Sequence, residues 1–121
     1  MKSRIMLVDD ADFMRLVLRD VLEKNGYEIV AEARDGQEAV AFYTELRPDL
    51  VLLDVTMPVM DGISALKEIR RADPAARVIV VSSLSSRAIV LETMKAGAIT
   101  FVAKPFAADH LLEIIKSALP E

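Results

Sequence analysis

The chain has 121 residues, 53% of them hydrophobic, and carries a formal net charge of −4 at pH 7. This length suits one ordinary domain with a substantial core, and the acidic balance argues against a broad nucleic-acid-binding surface. The sequence contains no cysteine for a disulfide or thiolate metal site, and no apolar stretch near the roughly 20 residues that cross a bilayer. We therefore expect residues 1–121 to form a single domain, located in the cytoplasm, that binds neither nucleic acid nor membranes.

The first half of the chain alternates short apolar runs with amphipathic stretches. The runs at residues 4–8 and 28–33 predict β-strands. Residues 12–25 predict a helix, because apolar side chains recur there at the i, i+3, i+4 and i+7 spacing of one helix face. A second helix is predicted with Asp35 as its N-cap and Glu38 three positions later, as in a capping box, and it is expected to end before Pro48.

The second half of the chain repeats this alternation. Residues 50–53 and 77–81 are continuous apolar runs, which are expected where helices cover both faces of a parallel sheet. The same patterns predict three further helices at residues 61–72, 86–96 and 107–119, and a fifth strand at residues 99–103. Five strands alternating with five helices predict an α/β fold with a mostly parallel sheet between two helical layers.

Four of the five predicted strands are followed by side chains suited to chemistry. Asp9 and Asp10 follow the first strand, and Asp54, Ser82 and Lys104 follow the third, fourth and fifth strands. In open parallel sheets, ligands bind outside the carboxyl ends of the strands. We therefore expect these residues, which are distant in sequence, to converge at one edge of the sheet.

Three carboxylates gathered at that edge would repel one another strongly. Within roughly 4–6 Å the repulsion reaches several kcal/mol, so either one carboxylate is protonated or a cation lies among them. The available ligands are hard oxygens, which indicates Mg²⁺. Lys104 supplies a positive charge and Ser82 a hydroxyl donor. A carboxylate between such groups can attack a phosphoryl group and form an acyl phosphate.

Each of these side chains also has an ordinary structural explanation. Asp9 and Asp10 can cap the first helix, and Ser82 can cap the fourth. Asp54 and Lys104 can simply lie in a turn and an exposed loop. Their joint occurrence at one predicted edge favours the functional interpretation over several separate coincidences.

Three motifs at these strand ends resemble the response-regulator receiver family, and its single-domain chemotaxis members most closely. They are Val8-Asp9-Asp10, the specific run Leu53-Asp54-Val55-Thr56-Met57-Pro58-Val59-Met60-Asp61-Gly62, and Lys104-Pro105-Phe106, with Ser82 between the last two. The resemblance covers essentially the whole chain. It implies a flavodoxin-like (βα)5 fold, which is a doubly wound parallel sheet with the strand order 2-1-3-4-5.

The resemblance assigns roles to the acidic residues of the predicted cluster. Asp54 would be the phosphoacceptor. Asp10, Asp54 and the backbone carbonyl of Thr56 would bind Mg²⁺ directly, and Asp9 would act mostly through a metal-bound water.

The resemblance also assigns roles to residues on the last two strands. Ser82 would hydrogen-bond the phosphoryl group, and Lys104 would pair with it. Ser82 and Phe101, which stands at the family's aromatic switch position, would couple the phosphoryl group to the surface formed by the fourth helix, fifth strand and fifth helix. Ordinary packing is the alternative for Phe101. The peptide bond between Lys104 and Pro105 would be cis, although only about 5–6% of the peptide bonds that precede proline in folded proteins are cis.

Partners follow from the same resemblance. The phosphodonor would be a CheA-like histidine kinase, because the only histidine, His110, is expected to face solvent away from the cluster. The target would be a flagellar switch protein or another chemotaxis component. We expect the chain to be a monomer that catalyses no reaction other than its own phosphorylation and dephosphorylation. By the same resemblance, Thr56 and Leu84 stand at positions that tune dephosphorylation in the family. Neither is an acid or an amide, so we expect a phosphoryl group of moderate to long lifetime.

Three alternatives stay open at this point. The segment Val81-Ser82-Ser83-Leu84-Ser85 also resembles the receiver of chemotaxis methylesterases, so the chain can be one receiver of a larger response regulator. A phosphohydrolase with an aspartate nucleophile typically carries a second acid two residues later, where this chain has Thr56. A flavin-binding module needs a phosphate-binding loop after the first strand, where Asp9 and Asp10 would repel phosphate.

Overall fold

A parallel sheet of five strands lies at the centre of the molecule, with helices on both of its faces. The computed structural model describes residues 2–120. The strands are β1 (Arg4–Val8), β2 (Glu28–Ala33), β3 (Leu50–Leu53), β4 (Val78–Ser82) and β5 (Thr100–Ala103). The helices are α1 (Asp12–Lys24), α2 (Gly36–Leu46), α3 (Gly62–Ala72), α4 (Arg87–Lys95) and α5 (Ala108–Ala118). No helix in this described part of the chain has both the length and the apolar character that crossing a membrane would need.

The strands lie in the order β2-β1-β3-β4-β5, and every neighbouring pair is parallel. This observation confirms the α/β fold expected from the sequence and the strand order that the resemblance implies. The chain moves outward from β1 to β2, returns across β1 to β3, and then continues in the opposite direction to β5. The order therefore reverses between β1 and β3, which is where open α/β sheets form ligand-binding crevices.

Side chains from alternate strand positions form two separate hydrophobic cores. One core lies between the sheet and α2, α3 and part of α4, and the other lies between the sheet and α1 and α5. In β3, for example, Val51 and Leu53 belong to the first core, whereas Leu50 and Leu52 belong to the second. The continuous apolar runs of the sequence therefore arise because helices cover both faces of the sheet.

The helix boundaries differ by about one residue from the predicted ones, because several expected first residues are caps. Asp61 and Ser86, which the sequence predicts as the first residues of α3 and α4, have extended backbones and serve as N-caps. Their side chains accept hydrogen bonds from the backbone N–H groups of Ser64 (2.9 Å) and Ile89 (3.3 Å). The Ser64 N–H holds the pKa of Asp61 below its usual range.

The first helix has no side-chain cap. Its N-cap is Ala11, so the structural alternative in which Asp10 caps α1 is wrong. Asp9 instead accepts a hydrogen bond from the Ala11 N–H at 2.9 Å, within the turn that precedes the helix. This turn keeps Asp9 at the carboxyl end of β1.

The loop after β3 approaches the start of α3 very closely. Gly62 donates its N–H to the carbonyl of Val55 at 2.8 Å. A Cβ atom at Gly62 would lie 1.9 Å from the backbone oxygen of Asp54 and 2.6 Å from Cα of Val55. Backbone atoms cannot move aside as the end of a flexible side chain can, so only glycine fits at this position. The close contact fixes Asp54 relative to α3.

We predict that Gly62→Ala lowers the free energy of unfolding by about 3 kcal/mol or more, because the added methyl group overlaps the backbone of Asp54. Gly26→Ala is the matched control. Gly26 has φ +87° and open space around its Cβ position, so this variant should lose only about 1–2 kcal/mol through its left-handed backbone. Urea denaturation followed by circular dichroism measures both values, and equal losses would contradict the steric explanation.

Candidate functional site

Backbone hydrogen bonds continue beyond the strand ends and align the polar residues at the carboxyl edge of the sheet. The N–H of Asp54 donates to the carbonyl of Val8 at 2.9 Å, and the N–H of Lys104 donates to the carbonyl of Ser82 at 3.0 Å. Asp54 therefore lies beside the β1–α1 turn, and Lys104 lies beside the end of β4. The parallel pairing of the strands sets these neighbours.

Three carboxylates converge at this edge, as the sequence predicts. Asp9, Asp10 and Asp54 each have an oxygen within 4.8 Å of an oxygen of the other two. Asp9 and Asp54 are buried, with 2% and 7% of their surface exposed, whereas Asp10 is exposed to solvent. Two buried carboxylates next to a third repel one another, so the site needs positive charge.

Lys104 places a positive charge inside this cluster. Its Nζ lies 2.6 Å from Oδ2 of Asp9 and 3.5 Å from Oδ2 of Asp54. Only 14% of the Lys104 side chain is exposed, so water and salt screen these contacts less than they would on an open surface. The ammonium group is therefore bound mainly to Asp9 and reaches Asp54 only weakly.

The two buried carboxylates differ in how firmly they are held. Asp9 uses one oxygen for the Ala11 N–H and the other for Lys104. Among the described residues, Asp54 accepts only two long contacts, from Lys104 at 3.5 Å and from the backbone N–H of Thr56 at 3.4 Å. Asp54 is thus the buried carboxylate with more capacity left to react with an incoming electrophile.

Ser82 is buried at the end of β4. Its side chain has no exposed surface, and its Oγ accepts a hydrogen bond from the N–H of Leu84 at 3.1 Å. No hydrogen bond joins Ser82 to Asp54 within residues 2–120. Because the hydroxyl accepts from Leu84, its proton is still free to be donated to a group bound at the cluster.

Phe101 lies on the sheet face that α4 covers. It pairs with Val80 of β4, two residues before Ser82, and both therefore belong to the same face. Phe101 is half-buried and packs, like Ile89 of α4, against the first core. Ordinary packing accounts for this position, and a switching role for Phe101 stays a prediction.

The loop that follows Asp54 contains a strained turn. Val59 has φ +67°, and the N–H of Met60 donates to the carbonyl of Pro58 at 2.7 Å. A left-handed backbone is unfavourable for a β-branched residue and persists only where neighbouring structure holds it. The carbonyl of Met60 accepts the N–H of Gly36 at 2.9 Å, which anchors the turn to α2.

Other residues singled out in the sequence lie around this edge or away from it. The Lys104–Pro105 peptide bond is cis, as the resemblance implies. His110 is exposed near the start of α5. Thr56 and Leu84 are exposed and line a groove of about 400 Å³ between α3 and α4, beside the β3–α3 loop.

Sequence reasoning misses one buried charge next to the cluster, that of Arg15. Only 8% of Arg15 is exposed, and its guanidinium donates to the backbone carbonyl of Asp9 and to the side chains of Asp12 and Glu32. The sequence does contain a signal for this burial. Arg15 stands three positions before Leu18 and seven before Leu22, so all three lie on the buried face of α1. A positively charged side chain on the buried face of a helix requires hydrogen-bond acceptors, and a hydropathy pattern does not show which residues supply them.

The donor atoms at this edge suit a small, hard cation. Carboxylate oxygens from Asp9, Asp10 and Asp54 lie within reach of a common point, and Mg²⁺ binds through one or two carboxylates together with waters and phosphate oxygens. Lys104 adds a mobile positive charge on the same carboxylates. Such a combination can balance the charge of a phosphoryl group next to Asp54.

Comparison with protein families matches residues 5–116 to the response regulator receiver domain. Receiver domains of this family act in two-component signalling and bind Mg²⁺ at an acidic pocket. The matched range contains the whole acidic cluster and all five strands except the first residue of β1.

The chain is similar to curated proteins of about its own length and to a longer one. It is 51% identical to the chemotaxis protein CheY of Bacillus subtilis over 119 residues, which cover 98% of this chain and 99% of that protein. It is 47% identical over 107 residues to a protein-glutamate methylesterase/protein-glutamine glutaminase of Caldanaerobacter subterraneus subsp. tengcongensis. That match covers 86% of this chain and 29% of the methylesterase.

The backbone also agrees with a solved structure, the CheX–CheY–BeF3–Mg²⁺ complex from Borrelia burgdorferi. The TM-score is 0.92 at 37% identity, and the match covers 95% of this chain and 87% of that one. The agreement extends over sequence and backbone together, and over nearly the full length. We conclude that the chain belongs to the response regulator receiver domain family.

Proposed function

We propose that this chain is a phosphorylation-activated response regulator of a chemotaxis-type two-component system. In this proposal, Asp54 accepts a phosphoryl group from a histidine of a separate, CheA-like kinase, with Mg²⁺ at the acidic cluster. The supporting observation is the position of Asp54, a buried strand-end carboxylate with oxygens of Asp9 and Asp10 within 4.8 Å and Lys104 at 3.5 Å. We further propose that residues 1–121 act as one monomeric unit in the cytoplasm.

Transfer to Asp54 forms a bond between a carboxylate oxygen and phosphorus, while the bond between phosphorus and the donor nitrogen breaks. Asp10, Asp54 and the backbone carbonyl of Thr56 are the residues proposed to hold Mg²⁺, with Asp9 supporting it from further away. When bound, Mg²⁺ balances negative charge on the phosphoryl oxygens. Lys104 neutralises part of the same charge from its position between Asp9 and Asp54.

Phosphorylation would change the contacts of Lys104 and Ser82. A phosphoryl group carries roughly −1.5 to −2 charges, which would draw Lys104 away from Asp9, where its Nζ is held at 2.6 Å. The same group offers acceptors to the Ser82 hydroxyl. Because the Leu84 N–H donates to Ser82 Oγ, a movement of Ser82 would pass to the β4–α4 loop. Phosphorylation can shift the conformational equilibrium only through such differences in contact.

We assign the output to the surface formed by α4, β5 and α5, called the output surface below. Leu91 and Met94 of α4 and Ile99 before β5 are 52%, 42% and 41% exposed. Leu91 and Met94 stand three positions apart on one face of α4, and neighbouring exposed apolar groups commonly mark protein-binding sites. We propose a flagellar switch protein or another chemotaxis component as the partner, and the support is the 51% identity to a chemotaxis protein.

A second candidate is that the chain is the receiver of a larger response regulator. The similarity to a methylesterase, of which the match covers 29%, supports it. The proposed chemistry at Asp54 is the same in both cases. A phosphohydrolase is less well supported, because the second acid expected two residues after Asp54 is replaced by Thr56. We therefore propose no catalysis beyond the chain's own phosphorylation and dephosphorylation.

The first prediction concerns the phosphoacceptor. Incubation with a small phosphodonor such as acetyl phosphate and Mg²⁺ should add the mass of one phosphoryl group to the wild type and nothing to Asp54→Asn, because an amide is a far poorer nucleophile. Intact mass spectrometry provides the measurement. Asp20→Asn removes an exposed carboxylate of α1 and should leave the adduct unchanged, whereas EDTA should suppress it. An adduct that persists in Asp54→Asn would mean that another residue accepts the phosphoryl group.

The second prediction concerns the lifetime of the acyl phosphate, which we expect to be moderate to long. Thr56→Asn should shorten it several-fold, because an amide beside Asp54 can orient a water for attack on phosphorus. Leu91→Asn, on α4 but away from the cluster, is the control and should leave the lifetime unchanged. Loss of the adduct is followed by mass spectrometry after removal of the phosphodonor. Rapid decay in the wild type that slows when Leu84 is changed would contradict the expectation.

The third prediction concerns the output surface. Leu91→Asp should weaken phosphorylation-dependent binding to a flagellar switch protein by about tenfold or more, because it puts a charge into an apolar contact. Leu16→Asp, at a 62% exposed leucine of α1, is the matched control and should retain the affinity. Isothermal titration calorimetry with beryllofluoride-treated protein measures both. If the activated wild type binds no motor or chemotaxis component, the proposed partner is wrong.

A further inference from the structure

A buried arginine holds the turn that carries the acidic pair. The guanidinium of Arg15 donates to the backbone carbonyl of Asp9 through Nη1, to the carboxylate of Asp12 through Nη2, and to Oε1 of Glu32 at 3.2 Å through Nε. We propose that Arg15 is a positioning residue that holds Asp9 and Asp10 in the geometry required for Mg²⁺ binding. This inference rests on the proposed function of the acidic cluster, and it adds Arg15 to the residues on which that function depends.

The contact of Arg15 with Asp9 acts on both members of the acidic pair. The carbonyl of Asp9 belongs to the peptide unit that joins Asp9 to Asp10, and this unit is planar. A hydrogen bond to that carbonyl restrains the orientation of the whole unit, and thereby the directions in which both side chains leave the backbone. Arg15 can therefore position the two carboxylates without touching either of them.

The other contacts of Arg15 tie this peptide unit to the rigid part of the fold. Asp12 is the first residue of α1, and Glu32 lies in β2, the strand next to β1. The planar guanidinium presents its donors in a fixed arrangement, so three acceptors bound to it are also fixed relative to one another. The β1–α1 turn is thus clamped between a helix and a strand.

Glu32 is itself held in place by a second arginine. Oε2 of Glu32 lies 2.6 Å from Nη2 of Arg19, one turn further along α1. Arg19 is more exposed than Arg15, with 35% against 9% of the side chain accessible, and it contacts Glu32 and Glu23 but not the turn. The two arginines therefore both bind Glu32, through different oxygens, and differ in whether they reach Asp9, which makes Arg19 a matched control.

The charge of Arg15 by itself would act in the opposite direction. A positive charge next to the turn repels a second cation, so an effect through charge alone predicts that loss of Arg15 strengthens Mg²⁺ binding. An effect through positioning predicts that loss of Arg15 weakens it. The sign of the change in affinity therefore separates the two effects.

The experiment compares the Mg²⁺ affinities of the unphosphorylated wild type, Arg15→Met and Arg19→Met. Titration with MgCl₂, followed by NMR shifts of the backbone amides, gives each dissociation constant, and urea denaturation establishes that each variant is folded under these conditions. Arg15→Met should raise the dissociation constant about tenfold, the effect of losing a hydrogen bond from a charged donor. Arg19→Met should change it less than about twofold, because its side chain does not reach the turn.

Unchanged or tighter Mg²⁺ binding by Arg15→Met would overturn the inference, and so would an equal weakening in Arg19→Met. If Arg15→Met does not fold, Arg15→Lys takes its place, since it keeps the positive charge but loses the planar fork that reaches three acceptors. A several-fold weakening in Arg15→Lys supports the inference, and an unchanged affinity overturns it. Absence of Mg²⁺ binding in the wild type would instead contradict the proposed function of the cluster, so the two failures are distinguishable.

Discussion

The repulsion among three carboxylates at one edge of the sheet is the constraint on which the rest of this structure depends. Asp9 and Asp54 are both buried, and an oxygen of Asp10 lies within 4.8 Å of each. Lys104 offsets part of that repulsion, but it binds Asp9 at 2.6 Å and leaves Asp54 at 3.5 Å. The consequence is an asymmetric site, in which one carboxylate is fully engaged and the other is available for chemistry. A bound cation and a phosphoryl group would complete the charge balance that the protein alone leaves open.

The fold makes this arrangement possible because the central strands β3 and β4 are apolar up to their carboxyl ends, where the polar groups follow. Two hydrophobic cores cover the two faces of the strands, which keeps the strand ends rigid relative to one another. Gly62 lets α3 start in direct contact with the backbone of Asp54, and Arg15 ties the β1–α1 turn to α1 and β2. The reactive edge is therefore built from loops, but each loop is attached to the rigid part of the molecule at a specific point.

Much of the site could be predicted from the sequence, because its residues follow short, strongly apolar strands. Asp54 and Lys104 are examples, and the capping role of Asp35 also followed from local sequence, since its side chain accepts the Glu38 N–H at 2.8 Å. The errors were local too, since Asp61 and Ser86 proved to be caps and not first helical residues. Arg15 was missed for a different reason. Its burial depends on Glu32, which lies 17 positions away on a neighbouring strand.

The sequence by itself determined the alternation of strands and helices, the coverage of both sheet faces, and the identity of the polar residues that follow the strands. These features depend on hydropathy periodicity and on capping, which act over a few neighbouring residues. Only the tertiary structure decided how those polar residues are paired. Lys104 and Asp9 are 95 positions apart, and parallel register brings them together. The choice of Asp9 over Asp54 as the main partner of Lys104 depends on distances of about an ångström between separate strands, to which a pattern of residue types is not sensitive.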